Sequence, residues 1–312
     1  MIFVSIAAYR DPQLASTISD CLEKARRPQQ LRFCICWQHG DDERLPELCH
    51  GEQFTVLDIP FEQSKGVCWA RAVIMDLWDG EDWYLQLDSH HRFVPDWDVT
   101  LLQQASATGS AKPVLSTFGS PFSPGEGDGT PRRATRIEFN GFYPEGDIME
   151  RGGWITEAST RPIRARFVSA HFIFAPGSFV DDVAYDPDLY YLGEETSIAL
   201  RAFTHGYDLF HPCVPVLSHE YTRANRPRHW DDHLRSKGVT VEWSERNALG
   251  RARVTHLLAE APAGRHALGT ERTLRDYEEY AGISFEQRRV QEYTRRHLEP
   301  PNPTGAGEWV QA

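Results

Sequence analysis

Long apolar runs, paired cysteines and an excess of positive charge are all missing from this chain. No apolar stretch approaches the length that crosses a bilayer, and no basic segment precedes the apolar residues 1–8, so they predict a first strand rather than a signal peptide. The six cysteines include no CxxC pair, which favours buried, reduced thiols in a cytoplasmic protein. The net charge of −12 argues against a nucleic-acid groove, although a local basic patch can still bind a small anion.

Several common catalytic signatures are missing as well. The chain has no GxGxxG after a strand, no Walker loop, no GxSxG turn and no zinc-type spacing of histidine and cysteine. Its 312 residues have the composition of an ordinary soluble globular protein. They suffice for one large α/β domain or for two smaller ones.

Strand-like and helix-like segments alternate in the first third of the chain. We expect strands at 2–8, 31–37, 53–59 and up to Asp88, and helices at about 12–25 and 65–78. Asp11 is the expected cap of the first helix, with Pro12 at its first position. This order predicts a mostly parallel sheet flanked by helices, with ligands bound beyond the carboxyl ends of the strands. Tyr9, Arg10, Gln38 and Asp88 all fall at that edge.

The alternating pattern breaks up from Ala105 to Arg161. A run rich in Gly, Pro and Ser at 119–125 predicts a loop, and we favour a mobile loop beside a second substrate over a plain insertion. The remaining expected elements are a strand near 113–117, a strand at 166–175, a helix from Glu194 to His205 ended by Gly206, a charged helical region after Tyr221 and a loose tail.

The segment Trp83–Phe93 is the first candidate for a site. An apolar, β-prone run stops at Asp88, and His90 follows two positions later. Since side chains alternate along an extended backbone, Asp88 and His90 point to the same side while Ser89 points away, so one divalent ion can contact both. In the plainer alternative, Asp88 caps the next turn and both His90 and His91 make local hydrogen bonds; this segment alone does not separate the two.

A second apolar run, Val214–Leu217, also leads to a histidine, and His219 is the candidate third metal ligand. Isolated histidines are more often surface or satisfied core residues, but the repeated strand-then-histidine pattern favours a ligand. A carboxylate oxygen, two imidazole nitrogens and diphosphate oxygens suit Mn²⁺ first and Mg²⁺ second. Transferases that use nucleotide-sugars need such an ion, because two adjacent phosphates must be neutralised before the diphosphate leaves.

Two adjacent carboxylates, Glu194 and Glu195, open an amphipathic helix after Gly193. They either stabilise the positive N-terminal end of that helix or lie in a sugar pocket, where one of them accepts hydrogen bonds from hydroxyl groups. In the second interpretation Gly193 permits close approach of the ligand.

Arginines near these segments are candidates for binding a nucleotide. Arg71, on the helix before the Asp88 strand, offers a planar fork to a uracil or a phosphate, or else lies on a solvated helix face. The same two alternatives hold for Arg10 and for the group after His219, which consists of Arg223, Arg226 and Arg228.

Together these segments resemble the GlcNAc-transferases that modify hydroxyproline on a ubiquitin-ligase adaptor in the cytoplasm of protists, a family with many bacterial relatives. The similar segments cover most of the chain and are 5–12 (SIAAYRDP), 88–93 (DSHHRF), 185–187 (YDP), 204–208 (THGYD) and 269–273 (GTERT). More distantly, the chain is similar to the polypeptide GalNAc-transferases, whose Asp-x-His element and later histidine bind Mn²⁺. Their WGGEN-like segment matches Leu192–Glu195.

The resemblance implies a GT-A-type α/β fold with a Rossmann-like, mostly parallel sheet. It also implies a retaining, metal-dependent transfer of GlcNAc from UDP-GlcNAc to a hydroxyl. We accordingly expect a catalytic domain over 1–220, with a nucleotide half at 1–110 and an acceptor half at 111–220, then a helical extension over 221–299 and a flexible tail over 300–312. The expected roles are as follows: Asp88, His90 and His219 bind the metal; Asp88, Glu194 and Glu195 serve catalysis; Ala7, Tyr9, Arg10, Gln38, Arg71, Ser89 and Arg223 contact the donor.

Three departures from the related families bear on specificity. Glu195 stands where the GalNAc-transferases have Asn and Leu192 replaces their first glycine, which leaves the sugar open. His171 stands where a small residue is expected.

The acceptor is expected on a protein or peptide; the alternatives are a UDP-GalNAc or UDP-glucose transferase acting on a small molecule or glycan, and a non-catalytic nucleotide-sugar-binding protein. The full set of candidate ligands argues against a pure binder.

Overall fold

The sheets of the protein are built from strands of two to nine residues. The computed structural model describes residues 1–125, 129–131, 133–156, 159–222, 226–260, 264–305 and 307–312. In chain order the strands are β1 (Ile2–Tyr9), β2 (Leu31–His39), β3 (Phe54–Pro60), β4 (Trp83–Asp88), β5 (His91–Phe93), β6 (Pro113–Ser116), β7 (Ser120–Phe122), β8 (Thr135–Phe142), β9 (Ile148–Trp154), β10 (Ile163–Arg164), β11 (Phe172–Pro176), β12 (Asp208–His211), β13 (Leu217–Glu220), β14 (Ile283–Ser284), β15 (Arg289–Gln291) and β16 (Trp309–Gln311).

Helices connect these strands and continue into the C-terminal part. In chain order they are α1 (Leu14–Lys24), α2 (Val67–Met75), α3 (Trp97–Ala107), α4 (Phe179–Asp182), α5 (Glu194–Thr204), α6 (His229–Asp232), α7 (Trp243–Leu258), α8 (Leu274–Ala281) and α9 (Glu292–Arg295). None of the helices formed by the described residues combines the length and apolar character needed to span a membrane.

The central sheet has eight strands within the described part of the chain, in the order β10-β12-β6-β11-β4-β1-β2-β3. Neighbours run parallel from β4 through β1 and β2 to β3, and again between β6 and β12. Strand β11 is antiparallel to both β4 and β6, and β10 is antiparallel to β12. The predicted α/β architecture with a mostly parallel sheet is confirmed.

Two hydrophobic cores cover the opposite faces of this sheet, because successive strand side chains alternate in direction. On β1, Val4 and Ile6 belong to a core with α1 and α3, whereas Phe3 belongs to a core with α2, α4 and α5. Tyr84 of β4 also lies in the second core. Asp88 is four residues further on the same strand, so its side chain faces the same helices, α2 and α5.

Several predicted element boundaries differ from the structure, and the helix expected at about 65–78 spans Val67–Met75. Helix α1 begins at Leu14 rather than Pro12, and Gln13 at its N-terminus makes no side-chain capping bond. Asp11 accepts a hydrogen bond from the Gln13 backbone N–H at Oδ1, 2.8 Å, while its other oxygen is bound elsewhere. Strand β11 begins at Phe172 rather than at 166. Helix α5, in contrast, starts at Glu194 and is followed by Gly206 at a φ of +86°, as predicted.

The irregular region 105–161 contains strands within and after the predicted loop at 119–125, and the mobility of that loop stays a prediction. Ser120–Phe122 forms β7, which pairs in parallel with β13, and β8 and β9 form an antiparallel hairpin. Gly119 allows its backbone to approach His219 closely, because a Cβ on residue 119 would lie 2.9 Å from the His219 Cβ. Residues 126–128, 132 and 157–158 of this segment lie outside the described residues.

The C-terminal part combines helices with a small sheet. Helices α7 and α8 pack on α5, and strands β14, β15 and β16 form an antiparallel sheet. The tail expected to be loose therefore contains a strand, Trp309–Gln311, because its backbone pairs with β15. The division into a catalytic domain and an extension stays a prediction.

Candidate functional site

The three predicted metal ligands lie together at the carboxyl end of β4. His90 Nε2 is 3.7 Å and His219 Nε2 is 3.5 Å from Asp88 Oδ2. Each residue has one potential metal-ligand atom that lies within 4.8 Å of those of the other two residues. Strand β13 brings His219 there, because it pairs antiparallel to β5 with His219 opposite His91.

The chemistry of these side chains fits a divalent metal ion. Although His219 is only 6% exposed, neither of its ring nitrogens makes a hydrogen bond of good geometry with the described residues. Burial lowers the pKa of His219 to about 4, so the ring is neutral at pH 7. Burial by itself would raise the pKa of Asp88, but nearby His219 and the positive charge of Arg71 hold it well below its ordinary value. Metal binding requires such neutral imidazoles and an ionised carboxylate.

Asp11, which the sequence suggested only as a helix cap, orients His90. Its Oδ2 accepts hydrogen bonds from Ser89 Oγ at 2.7 Å, from His90 Nδ1 at 2.7 Å and from Arg226 Nη1 at 2.8 Å. Burial opposes ionisation of Asp11, yet the bonds from His90 and the charge of Arg226 lower its pKa. Because Asp11 holds Nδ1, the other ring nitrogen of His90 is left to face Asp88. The signal in the sequence was its position just beyond β1, at the ligand-binding edge.

Arg71 links two of the predicted site carboxylates. It lies on α2, is 2% exposed and donates from Nη2 to Asp88 Oδ1 at 2.6 Å. Its Nη1 donates to Glu194 Oε1. The guanidinium was predicted to contact the donor nucleotide, but the bonds that the structure shows are to protein carboxylates. It therefore couples the position of the candidate metal ligand to that of the candidate sugar-pocket residue.

The site opens into a cavity of about 460 Å³, within the usual size range of small-molecule sites. The residues singled out from the sequence that line it are Ala7, Tyr9, Arg71, Asp88, Ser89, His90, Glu194, Glu195, His219, Arg226 and Arg228. Aromatic side chains form much of the remaining wall, namely Phe118, Tyr143, Tyr190, Tyr191, Tyr221 and Trp230. The structure thus gathers residues from all three segments that the sequence singled out around one cavity.

Gln38 does not line this cavity. Its side chain is buried, Nε2 donates to the Ala8 carbonyl at 3.2 Å, and Oε1 accepts a hydrogen bond from Ser64 Oγ. Both ends of the amide are therefore bound within the protein. Arg223, another predicted donor contact, lies outside the described residues.

Arg10 also lies away from the cavity wall. Its guanidinium pairs with Glu43 and with Asp232, both at 3.1 Å. Asp232 additionally accepts a hydrogen bond from the Tyr9 hydroxyl at 3.0 Å. Arg10 and Tyr9 thus hold α6 against the end of β1. Tyr9 lines the cavity, whereas Arg10 does not.

Glu194 and Glu195 differ in their surroundings, although both belong to the first turn of α5. Glu194 is buried against Arg71, whereas Glu195 Oε1 accepts the Ala170 N–H at 3.0 Å. Gly193 has a φ of +83°, and a Cβ on it would lie 2.4 Å from Val254 Cγ2. The glycine is therefore required by the turn and by packing on α7, in addition to bordering the cavity.

His171 packs against His219, the candidate third metal ligand. The ring centroids are 4.2 Å apart. His171 Nε2 accepts the Gly119 N–H at 2.9 Å and Nδ1 donates to Ser169 Oγ, at 2.8 Å. These bonds fix one neutral tautomer, so the ring acts as a rigid support for His219.

Comparison with known proteins gives a family and a fold. A family model described as Glycosyltransferase (GlcNAc) matches residues 1–55 and 41–287. The crystal structure of GalNAc-T7 with UDP, GalNAc and Mn²⁺ is similar at 15% sequence identity and a TM-score of 0.62, over 89% of this chain and 54% of that one. This chain therefore spans about half the length of that protein, and the likeness confirms the predicted GT-A-type fold.

A further structure is more distant. S. aureus TarS 1–349 in complex with UDP-GlcNAc matches at 10% identity and a TM-score of 0.48, over 82% of this chain and 72% of that one. A search of curated protein sequences found no match.

Proposed function

Because this chain belongs to the Glycosyltransferase (GlcNAc) family, we propose that it is a metal-dependent enzyme that transfers GlcNAc from UDP-GlcNAc to a hydroxyl on a protein or peptide. The observation that carries the proposal is the convergence of Asp88, His90 and His219 on the wall of a single cavity. The family description supports GlcNAc as the sugar. GalNAc-T7, solved with UDP and Mn²⁺, supports a uridine nucleotide and Mn²⁺, with Mg²⁺ as second candidate. The cytoplasm stays the predicted location.

At the leaving group, some residues would bind the metal ion and others support those ligands. Asp88, His90 and His219 would hold the ion, which when bound neutralises charge on the departing diphosphate. Asp11 is bonded to His90 Nδ1, which leaves Nε2 towards the proposed ion, and His171 supports the His219 ring. Each of these contacts restricts the ligands to one geometry before the donor binds.

On the sugar side, Glu194 is the proposed acceptor of hydroxyl hydrogen bonds, and it orients the ring for transfer. Arg71 keeps this carboxylate and Asp88 at a fixed separation by bonding to both. In the proposed reaction the bond from the sugar C1 to the phosphate oxygen breaks and a bond to the acceptor oxygen forms on the same face, so configuration is retained. The departing phosphate takes the proton of the acceptor hydroxyl.

Release of UDP, measured with and without Mn²⁺ for UDP-GlcNAc, UDP-GalNAc and UDP-glucose, tests the proposal. We expect Mn²⁺-dependent release with UDP-GlcNAc as the best donor, and an NMR spectrum of the product with the donor's anomeric configuration. A preference for another donor would reassign the sugar. Nucleotide-sugar binding without turnover, across a panel of peptide and glycan acceptors, would instead support a binding protein.

The variant His219→Ala tests the metal site itself. We expect a loss of Mn²⁺-dependent UDP release greater than the roughly 100-fold that removal of a supporting contact costs, with an unchanged circular dichroism spectrum. His50→Ala is the matched control, because His50 is exposed and lies outside the cavity. Wild-type activity in His219→Ala would remove His219 from the site.

A further inference from the structure

A second cavity, of about 220 Å³, lies where strand β8 meets the C-terminal segment 294–300. The described residues that line it are all different from those around the candidate metal site. Its volume is below the usual range for drug-sized ligands, so it suits a small ion or a single chemical group. The charged residues on its wall are Arg136, Arg161, Arg164, Arg166, Glu138 and Glu299. Positive charge therefore exceeds negative charge on this wall.

Arg166 places a buried positive charge at this cavity, and its hydrogen bonds go to neutral acceptors. The residue is 7% exposed. Its Nε donates to the Ala281 carbonyl at 2.9 Å and its Nη1 to the Leu298 carbonyl at 2.7 Å. Its Nη2 donates to Asn302 Oδ1 at 2.6 Å. Burial lowers the pKa of Arg166 to about 10, so the side chain is still charged at pH 7. A buried charge without an opposite charge beside it costs stability.

Arg136, on β8, has donors to spare. Glu138 accepts a hydrogen bond from Arg136 Nε at 2.8 Å and a second one from Arg151 Nε at 3.1 Å. One carboxylate thus serves two arginines. The other glutamate on the wall, Glu299, is paired with Arg161 at 3.1 Å. Within the described part of the chain, both Nη groups of Arg136 remain without an acceptor.

His297 supplies a neutral donor on the same wall. Its Nε2 is 3.0 Å from Arg151 Nη2, whereas Glu138 Oε2 is further away at 3.4 Å. Because arginine only donates, Nε2 accepts, and the ring proton is on Nδ1. This Nδ1 is buried and has no partner among the described residues. Burial lowers the pKa of His297, so the ring stays neutral at pH 7.

A purely structural explanation accounts for only part of this arrangement. The three bonds of Arg166 fasten the C-terminal part of the chain to the residues before β11, which is a structural role. That role does not explain the Nη groups of Arg136 or the Nδ1 of His297, which come from two other segments and lack acceptors. Donors from three separate segments therefore line one small cavity.

We propose that this second cavity binds a compact oxyanion of the phosphate type, held by Arg136, Arg166 and His297. A phosphate group carries close to two negative charges at pH 7 and several strong acceptor oxygens. Its geometry also matches the planar fork of a guanidinium. The bound anion joins β8 to the C-terminal segment and compensates the charge of Arg166. This inference does not rest on the proposed sugar transfer.

Calorimetric titration of inorganic phosphate into the full chain, with a metal chelator present and at constant ionic strength, tests the site. We expect one phosphate per chain, and no saturable binding of chloride. Arg136→Gln is expected to weaken phosphate binding by about ten-fold or more, as for loss of a hydrogen bond to a charged group. Arg166→Gln is expected to lose binding. A denaturation midpoint shows whether each variant folds, and Arg136→Gln decides the question if Arg166→Gln does not fold.

Arg295→Gln is the matched control, because Arg295 is an exposed arginine of the same segment and does not line the cavity. We expect it to bind phosphate as the wild type does. Arg226→Gln serves as a second control, since Arg226 lines the candidate metal site instead. Loss of binding in Arg226→Gln together with wild-type binding in Arg136→Gln would place the anion in the metal cavity and overturn the proposal. Absence of saturable binding at millimolar phosphate would overturn it as well.

Two sources of the phosphate group are separated by a parallel titration with O-phosphoserine. Tighter binding of inorganic phosphate would indicate a free ion as the ligand, whereas tighter binding of O-phosphoserine would indicate a phosphate group on a larger molecule. Both results support the site, provided that Arg136→Gln weakens the binding. Since neither titration uses a sugar donor, a chain that transfers no sugar would contradict the proposed function and leave this inference standing.

Discussion

Side chains that lack a partner inside the protein mark the candidate site at the scale of single residues. His219 is buried with two ring nitrogens that make no good hydrogen bond to described residues, and a buried polar group of this kind costs stability unless a ligand satisfies it. His90 differs, because Asp11 binds its Nδ1 and leaves only the other nitrogen to act. The residue type alone does not distinguish these histidines from His91, whose Nδ1 faces the Asp88 carbonyl at 3.0 Å.

The variant Asp11→Asn tests the orientation of His90. Asn keeps the size but removes the charge that holds Nδ1–H, so we expect Mn²⁺ affinity to fall by about 10–100-fold. Calorimetric titration of Mn²⁺ in the presence of UDP measures the change. Asp41→Asn is the control, because Asp41 is exposed and lies outside the cavity. An unchanged dissociation constant would assign Asp11 a role in the α1 turn only.

Glu194→Gln tests the sugar-pocket assignment. We expect transfer to fall by about 100-fold, as for a displaced reacting group, while UDP affinity changes far less. Turnover and calorimetry on the same preparation give the two quantities, with exposed Glu23→Gln on α1 as the control. Equal losses of turnover and UDP binding would assign Glu194 to the stability of the helix start and of its pair with Arg71.

At the scale of elements, a short three-stranded sheet completes the metal site. Strand β13 lies between β5 and β7, and this pairing sets His219 opposite His91 and next to Pro121. Each of these strands has only three or four residues, so sequence periodicity hardly marks them. Gly119, interpreted from sequence as part of a loop, permits the close contact of the chain before β7 with β13.

The variant Gly119→Ala tests this close approach. Its new Cβ would lie 2.9 Å from His219 Cβ and 3.1 Å from the His219 backbone nitrogen. We expect the free energy of unfolding to fall by about 1–3 kcal/mol, as for overpacking, and Mn²⁺ affinity to fall with it. Urea denaturation measures the first and calorimetry the second. In the control Gly51→Ala the nearest atom is 3.5 Å from the added Cβ, so a similar loss there would contradict the steric explanation.

At the scale of the whole molecule, one cavity joins groups that are far apart in the chain. Arg226 donates a hydrogen bond to Asp11. Arg71 on α2 donates to Asp88 and to Glu194 on α5. Such a site belongs to the folded state only. A ligand that binds there stabilises the whole fold by mass action.

Mn²⁺ and UDP together should therefore raise the unfolding temperature measured by calorimetry. At ligand concentrations of about 100 times the dissociation constant the expected gain is about 2.7 kcal/mol. Chelation of the metal should remove most of the gain, and His219→Ala should show little of it. An equal shift with UDP and chelator would contradict a metal-dependent nucleotide site.

Local patterns in the sequence determined the strand that ends at Asp88, the start of α5 at Glu194 and the mostly parallel sheet. These depend on backbone periodicity and helix-end preferences, which act over a few residues. The tertiary structure decided which side chains meet: it brought His219 to Asp88, bound Arg71 to two carboxylates, turned Gln38 inward and made Asp11 the partner of His90. Such contacts depend on strand pairing and helix packing between distant segments, and no local pattern contains them.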